Sequence, residues 1–362
     1  MPDLRSVGRC VLLPALLATA CTAQPSEPAP SSPAAITLSA SPSSTIAPVT
    51  PPPTASVLPT VEPEPVFEVV TYPVPAGGRP HDVAPAADGG VWYTAQGSGR
   101  LGWLDPQTGE VREIPLGPGS QPHGVITGPD DAAWVTDGGQ DAIVRVDGET
   151  DEVTVFSLDR SGANLNTAAF DGDGVLWFTG QAGVYGRLDP ETGQAEVFDA
   201  PRGSGPYGIA ATPEGEIVFS SLAGSYLGVI DRTTAGVTVI DTPTPGGGAR
   251  RVWSDSAGRL WVTEWFSGSL AMYDPAAEAW SEWPLPGTGA MPYAVFVDED
   301  DAVWVTDFGS NATLRFDPIA ETWTPFEHGS RPAEVRQLLG REGEVWGAES
   351  AADQIFVVRA VD

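Results

Sequence analysis

Six side chains that could bind or activate a ligand recur at one position of a repeated sequence unit. Each lies eleven residues before a repeated Trp, or before Val218 where one unit lacks the Trp. The six are His81, His123, Asn166, Tyr207, Arg250 and Tyr293. An imidazole can act as a general base, and aromatic rings can line a pocket for an organic ligand. We therefore predict His81 and His123 as catalytic residues. The alternative is that each imidazole only caps the start of a strand.

Acidic side chains recur at a second position, three residues after the same Trp. Glu264, Asp307 and Glu349 come from three successive units. Carboxylates crowded at a concave site bind a cation or raise one another's pKa. We predict Glu349 as a catalytic residue and both Asp307 and Glu349 as metal ligands. The alternative, of equal weight for each acid, is that it ends a strand and accepts hydrogen bonds from backbone amides of the next loop.

The elements that must position these residues follow from the repeat itself. The Trp recurs at positions 92, 134, 177, 261, 304 and 346, and with Val218 the spacings lie between 41 and 43 residues. Such a period, with four short strands in each unit, is typical of propeller blades. Asp-Pro and Gly at the turns, as in Asp105–Gly109, indicate antiparallel hairpins. The sequence predicts an all-β, seven-bladed β-propeller of four-stranded antiparallel blades.

The two ends of the domain predict how the ring closes. Residues 68–81 match residues 110–123 at a constant offset of 42, so the domain begins with a fourth strand. It ends with a third strand near Gln354–Val358, and the N-terminal strand would complete the last blade. The innermost strands would all start at one mouth of the central channel. The residues eleven before and three after the Trp would therefore lie at that mouth. In the irregular last unit we expect Ala333 or Glu334 at the first position, with His328 on the same face.

The N-terminal residues predict export. Arg5 and Arg9 precede a short apolar run, and small residues precede Cys21, as in a bacterial lipoprotein signal. We assign residues 1–20 to the signal peptide, 21–65 to a disordered Pro/Ser/Thr-rich tether and 66–362 to the propeller. The predicted location is the extracytoplasmic face of the cell membrane, through a lipid on Cys21. An ordinary secretory signal is the alternative.

The charge excludes one class of partner. The chain has 48 acidic and 18 basic residues, a formal charge of −30, and every basic residue is an arginine. A nucleic-acid binder needs a basic surface, so we expect no nucleic-acid partner. We expect a monomer that binds a small molecule and meets the membrane only through its lipid anchor.

Several blade motifs resemble one family. Pro122–Val125 reads Pro-His-Gly-Val, Leu176–Thr179 reads Leu-Trp-Phe-Thr, and Gly186–Pro190 reads Gly-Arg-Leu-Asp-Pro. Together they resemble the virginiamycin B lyase (streptogramin lyase) family over about residues 66–362. The resemblance implies a carbon–oxygen lyase that opens a cyclic ester by elimination, with Mg²⁺ as cofactor and a histidine as base.

The resemblance is only partial in the last blade. There it implies a His after Pro, a Glu two residues before that His and a Glu fourteen residues after it. Glu349 matches the later Glu, Ala333 or Glu334 would take the place of the His, and Arg331 the place of the earlier Glu. We therefore assign Arg331 to ligand binding, together with Asn166, Tyr207, Arg250 and Tyr293.

Two functions are open at this point. One is metal-assisted elimination, with Asp307 and Glu349 holding the cation. The other is a non-catalytic binding or scaffolding propeller of the cell envelope. Calcium-dependent lactone hydrolysis, as in gluconolactonase-like propellers, is less favoured because those propellers have six blades.

Overall fold

A computed structural model describes residues 66–361 as seven four-stranded antiparallel sheets. The predicted fold is confirmed. The assignments for residues 1–20 and 21–65 lie outside the described residues. The described residues include no helix of sufficient length and apolar character to cross a membrane.

The strands follow one another through the blades in chain order, numbered from the inside of each blade outward. The first four blades comprise β2 (Pro80–Pro85), β3 (Val91–Ala95), β4 (Arg100–Leu104) and β5 (Val111–Pro115); β6 (Pro122–Thr127), β7 (Ala133–Asp137), β8 (Ala142–Val146) and β9 (Val153–Ser157); β10 (Leu165–Phe170), β11 (Leu176–Gly180), β12 (Val184–Leu188) and β13 (Ala195–Asp199); and β14 (Pro206–Ala211), β15 (Ile217–Ser221), β16 (Tyr226–Ile230) and β17 (Val237–Asp241).

The remaining blades comprise β18 (Ala249–Ser254), β19 (Leu260–Glu264), β20 (Ser269–Asp274) and β21 (Ala279–Pro284); β22 (Pro292–Val297), β23 (Val303–Asp307), β24 (Ala312–Asp317) and β25 (Thr322–Glu327); and β26 (Val335–Arg341), β27 (Glu344–Glu349) and β28 (Gln354–Val361), completed by β1 (Val66–Pro73).

The N-terminal strand closes the ring as predicted. β1 pairs antiparallel with β28 from Val66↔Val361 to Pro73↔Gln354, so the last blade combines both ends of the propeller. Each innermost strand packs against the next, and β26 packs against β2. The closed ring therefore leaves no blade with an unpartnered face.

The repeated Trp forms the wall between blades. The six Trp side chains at this position are at most 2% exposed. In four blades the indole Nε1 donates to an Asp of the preceding turn, as Trp177 does to Asp171 at 2.8 Å and Trp261 to Asp255 at 2.8 Å. In these four blades the Asp gives the buried indole an acceptor, whereas Trp92 Nε1 has none among the described residues.

The Thr or Ser two residues after the Trp position joins adjacent blades. Thr136 accepts a hydrogen bond from Gly124 N within its own blade and donates to the Asn166 carbonyl of the next blade at 2.6 Å. Thr94, Thr179, Ser220, Thr263 and Thr306 donate across the same boundary. In five of these six contacts the acceptor is the carbonyl of a residue identified above as a candidate ligand contact. These hydrogen bonds thus fix the backbone of the candidate residues relative to the neighbouring blade.

A β-bulge occurs near the start of every innermost strand. In blade one the register shifts between Pro80 and Val83, so two residues of β2 lie opposite one residue of β3, Thr94. His81 and Asp82 lie inside this bulge. A bulge changes the direction in which side chains point. Here the successive residues His81 and Asp82 both contact side chains in the channel, those of His123 and Arg251.

Candidate functional site

The strand register corrects the assignment in blade seven. Val335 pairs with Glu349 just as Pro292 pairs with Asp307 in blade six, so Arg336 takes the first channel position. The expectation of Ala333 or Glu334 there was wrong. The expectation relied on Pro332 as the counterpart of Pro292, but in the strand register Val335 holds that place.

Contacts between blades bring the residues of the first repeated position together at one end of the channel. We call this ring the polar mouth, and it comprises His81, His123, Asn166, Tyr207, Arg250, Tyr293 and Arg336. All except Arg250 and Arg336 are buried.

One side of the polar mouth is built from imidazole and amide groups. The rings of His81 and His123 lie 4.0 Å apart between centroids. Asn166 Nδ2 lies 3.4 Å from His123 Nε2, and His81 Nδ1 donates to Asp82 Oδ1 at 2.7 Å. A carboxylate on one ring nitrogen orients the imidazole and leaves the other nitrogen to act on a ligand.

The other side is built from aromatic rings around one guanidinium group. The Cζ atom of Arg250 lies 3.5 Å from the ring centroid of Tyr293, 4.3 Å from that of Trp265 and 4.7 Å from that of Tyr207. Arg250 Nη2 also donates to the Tyr207 hydroxyl at 3.0 Å, and the Tyr207 and Tyr293 hydroxyls hydrogen-bond each other. Cation–π contacts hold this arginine in place.

Sequence reasoning missed a buried ion pair in the next layer of the channel. Arg251 Nη2 lies 3.3 Å from Asp82 Oδ1, and both side chains are nearly fully buried. A signal was present, because the residue after each ring position is small or uncharged in every other blade. Those residues are Gly124, Thr167, Gly208, Ala294 and Gln337. One acid and one base in an otherwise uncharged set indicate an ion pair.

Burial controls the protonation of the two ring histidines. It lowers the pKa of His81 well below its ordinary value, and the positive charges of Arg336, Arg251 and Arg250 lower it further. Burial and the neighbouring His81 lower the pKa of His123 in the same way. Both imidazoles are therefore neutral at pH 7 and able to accept a proton.

The acidic side chains at the strand ends mainly hold loops. Asp307 Oδ1 accepts hydrogen bonds from Met291 N and Gly309 N, and Oδ2 accepts one from Ser310 N. Asp137 Oδ1 accepts from Gln121 N in the same way. These contacts support the structural alternative for Asp307.

Glu349 joins the loop that enters blade seven. His328 Nδ1 lies 3.1 Å from Glu349 Oε1, and Ser330 Oγ donates to Oε2. His328 is thus on the face predicted for it, and it packs edge-on against Phe356. Burial acts to raise the pKa of Glu349, but the contacts from His328 and Ser330 outweigh it and lower the pKa.

Glu264 has a different environment. Ser267 Oγ donates to its Oε2 at 3.0 Å, while its buried Oε1 has no partner among the described residues. Burial and the charge of Glu282 raise the pKa of Glu264 to about 7. Its carboxyl group is therefore partly protonated at neutral pH.

The corrected register also changes the comparison with the lyase motif. Glu334 lies two residues before Arg336, and Glu349 lies thirteen after it. Both carboxylates of the motif therefore have counterparts, whereas an arginine replaces the histidine. Arg331, assigned above to the earlier Glu position, is an exposed residue of the loop before β26. The alignment of Arg331 with the earlier Glu was wrong for the same reason as that of Ala333, and its role in ligand binding stays a prediction.

The blade-seven residues do not fit a magnesium ion. Arg336 Nη2 lies 2.6 Å from Glu334 Oε2, so a guanidinium group already neutralises this carboxylate, while Glu349 is bound by His328 and Ser330. Mg²⁺ needs free oxygen ligands in octahedral geometry. In residues 66–361, potential ligand atoms come together in a group of three at His81, Asp82 and His123. Two imidazoles and an arginine-paired carboxylate are a poor donor set for Mg²⁺.

Two cavities continue the channel below the polar mouth. A cavity of about 30 Å³ lies between Asp82, Arg251 and Gln337, which is room for about two water molecules. At the far ends of the innermost strands, an apolar pocket of about 370 Å³ is lined by Phe170, Trp253 and other apolar groups. Sequence reasoning did not find this second pocket.

These features define a class: a seven-bladed propeller whose innermost strands present a ring of polar and aromatic side chains at one mouth. The model of the virginiamycin B lyase family matches residues 62–314, and the chain belongs to this family. The matched range ends before blade seven. It therefore includes neither Arg336, which departs from the lyase motif, nor Glu349, which corresponds to it. No curated protein matched the chain.

Solved structures confirm the fold. Virginiamycin B lyase from Staphylococcus aureus is 18% identical, with a TM-score of 0.75 over 82% of this chain and 100% of that chain. A catalytically inactive variant of the same lyase, solved with quinupristin, is 18% identical, with a TM-score of 0.76 over 82% and 100%. Kuenenia stuttgartiensis hydrazine synthase is 14% identical, with a TM-score of 0.66 over 79% and 97%. At such identities the likeness establishes the fold alone.

Proposed function

We propose that this propeller binds a small organic molecule at the polar mouth. One observation carries the proposal: polar atoms of four neighbouring mouth and channel residues are buried without a hydrogen-bond partner among residues 66–361. They are His123 Nδ1, Asn166 Oδ1, Arg250 Nε and Arg251 Nε. Leaving such a group unpaired costs about 1–3 kcal/mol, so a cluster of them calls for a ligand or ordered water.

The chemistry of the mouth suits a ligand with a flat apolar part. The rings of Tyr207, Tyr293 and Trp265 surround Arg250, and Phe308 stacks on Tyr293 at 5.0 Å. Aromatic walls with a few convergent polar groups are typical of small-molecule sites.

A second candidate function is elimination, and the His81–Asp82 pair favours it. Asp82 accepts the hydrogen bond from Nδ1–H, and burial keeps the imidazole neutral, so His81 Nε2 could remove a proton from the carbon next to the alkyl carbon that bears the ester oxygen, with the carboxylate as leaving group. The electron pair of that C–H bond would form a C=C bond as the ester C–O bond breaks. No step in this proposal uses magnesium, because the blade-seven residues do not fit it.

A direct assay separates the candidate reactions. The full chain is incubated with a streptogramin B, and the products are followed by chromatography and mass spectrometry. Elimination leaves the mass unchanged, whereas hydrolysis adds one water. In the elimination model, His81→Asn abolishes the reaction and His328→Asn, an imidazole held by Glu349, leaves it intact. Unchanged substrate at high protein concentration removes the elimination candidate.

Binding without reaction is tested with the same samples. Trp265 contacts Arg250 directly, so a ligand at the mouth is expected to change tryptophan fluorescence. Trp265→Phe is expected to remove most of that change, and Trp103→Phe, on the third strand of blade one, to leave it in place. If no tested molecule changes the signal and none reacts, the binding proposal fails for those molecules, and a scaffolding role is favoured.

We also propose export with a lipid on Cys21, on the sequence evidence given above. Metabolic labelling with a radioactive fatty acid tests it. Cys21→Ser is expected to abolish labelling and release the protein from membranes. Cys10→Ser, a matched change within the signal peptide, is expected to retain both the labelling and the attachment to membranes. Labelling of the Cys21→Ser variant would contradict the proposal.

A further inference from the structure

The arginines of this acidic protein are unevenly partnered. Within residues 66–361, twelve arginines lie within 4.0 Å of a carboxylate oxygen, while Arg79, Arg250, Arg315 and Arg331 do not. Three of these four belong to the start of an innermost strand or to the loop that leads into it. With 48 acids to 18 bases in the chain, unpaired guanidinium groups collected at one mouth need an explanation.

The ring residues and the residues that directly follow them include three arginines and one carboxylate, in a protein of charge −30. Arg251 pairs with Asp82 and Arg336 with Glu334, Arg250 has no carboxylate oxygen within 4.0 Å among residues 66–361, and the two ring histidines are neutral. The charges of Arg336, Arg251, Arg250 and Arg79 all act on His81, so these groups share one electrostatic environment. A cation is disfavoured in this environment and an anion is favoured.

Three arginines of residues 66–361 have a buried Nε without a partner, and two of them, Arg250 and Arg251, lie at the mouth and in the channel, while Arg315 lies in blade six. Arg250 Nε and Arg251 Nε are buried and lack a hydrogen-bond partner in the described chain, and Arg251 is 5% exposed. A guanidinium group in a fixed orientation is suited to hold a carboxylate or phosphate oxygen. Stacking on Tyr293 and Trp265 fixes Arg250 in this way.

We infer that the polar mouth selects an organic anion, an aromatic or similarly flat molecule bearing a carboxylate or phosphate group. The anionic group binds between Arg250 and Arg336, and the flat part lies against Tyr293, Trp265 and Phe308. Arg336 contributes at the position where the lyase motif has its histidine, and its Cζ lies 5.9 Å from the Phe308 ring centroid. This inference rests on the proposed function, since it specifies the ligand class of the same site.

The test uses probes that differ only in charge. Benzoate and benzamide share one ring, and their affinities for the full chain are measured by calorimetry at two salt concentrations. Phenyl phosphate and inorganic phosphate show whether the site prefers carboxylate or phosphate and whether the ring is needed. Benzoate or phenyl phosphate is expected to bind at least about tenfold more tightly than benzamide, with affinity that falls as salt rises. Benzamide binding as tightly as both anions overturns the inference.

Variants locate the binding. Arg250→Gln and Arg336→Met are each expected to weaken anion binding by about tenfold or more. Arg315→Gln is the matched control, because Arg315 also lacks a carboxylate partner in residues 66–361 but stacks on Phe67 and Trp304. Unchanged anion affinity in both mouth variants, with their folded state verified by circular dichroism, overturns the inference.

NMR distinguishes failure of the anion preference from failure of ligand binding at the polar mouth. The Nε–H resonances of Arg250 and Arg251 are followed by NMR while each probe is added. Anions are expected to shift them. If benzamide or a streptogramin B shifts them and no anion does, ligand binding stands and the anion preference is wrong. If no probe shifts them, both proposals fail for these ligands.

Discussion

Arg251 of blade five reaches across the central channel to Asp82 of blade one, with Nη2 3.3 Å from Oδ1. Asp82 also accepts the His81 Nδ1 hydrogen bond, so one carboxylate joins the ion pair to the ring of candidate ligand contacts. Burial acts to raise the pKa of Asp82, and Arg251 opposes this effect. The pair therefore connects opposite blades and orients a mouth residue at once.

Removal of one partner of this pair is expected to be costly. Arg251→Met leaves a buried carboxylate without its counterion, which typically destabilises a protein by about 3–5 kcal/mol. The double variant Arg251→Met/Asp82→Leu removes both charges and is expected to recover much of that loss. Urea unfolding followed by tryptophan fluorescence measures both. A double variant no more stable than the single one would show that the two charges do not act as a pair.

The hydrogen bonds between blades give a second prediction. Thr136→Val keeps the side-chain shape but removes the bonds to Gly124 N and the Asn166 carbonyl. We expect a loss of about 1–3 kcal/mol, since two buried backbone groups lose a partner. Thr136→Ser keeps the hydroxyl and is the matched control. Equal urea midpoints for the Val variant and the unaltered protein would rule out this role.

The third prediction concerns pH. Burial raises the pKa of Glu264 from its ordinary 4.5 to about 7, so between these values the folded state holds more protons than the unfolded state. Stability is therefore expected to fall as pH rises from 4.5 to 7, and to stay lower above 7. Glu264→Gln removes this slope and is expected to stabilise the protein at pH 8 by about 1–3 kcal/mol. Thermal unfolding across this pH range measures the effect, with exposed Glu149→Gln as control.

The fold was predictable because each blade carries its own local evidence. The spacing of Trp92 and its equivalents fixes the number of blades, and the match of residues 68–81 to residues 110–123 fixes the closure. The ring positions from His81 to Tyr293 followed from the same period. Each of these predictions depends only on sequence features that recur from one unit to the next.

The remaining features depend on what does not recur. Asp82 and Arg251 are 169 residues apart and meet only because the ring closes. Arg336 was missed because the proline of blade seven, Pro332, lies four residues before it, and Val335 holds the place that Pro292 has in blade six. The sequence also offered two interpretations for Asp307, and only its amide contacts favour one.

The fourth prediction concerns Glu349, for which the structure supports a role in stability. His328 and Ser330 lower the pKa of Glu349 despite its burial, so its charged form stabilises the fold above the ordinary value of 4.5, and this contribution is lost as pH falls through its folded pKa. This pH dependence is opposite in sign to that of Glu264. Glu349→Gln is expected to cost about 1–3 kcal/mol at pH 7 and to weaken the loss of stability in acid. It is also expected to leave benzoate affinity unchanged, because Glu349 contacts the loop before β26 rather than Arg250. A large loss of affinity with unchanged stability would instead place Glu349 in the ligand site.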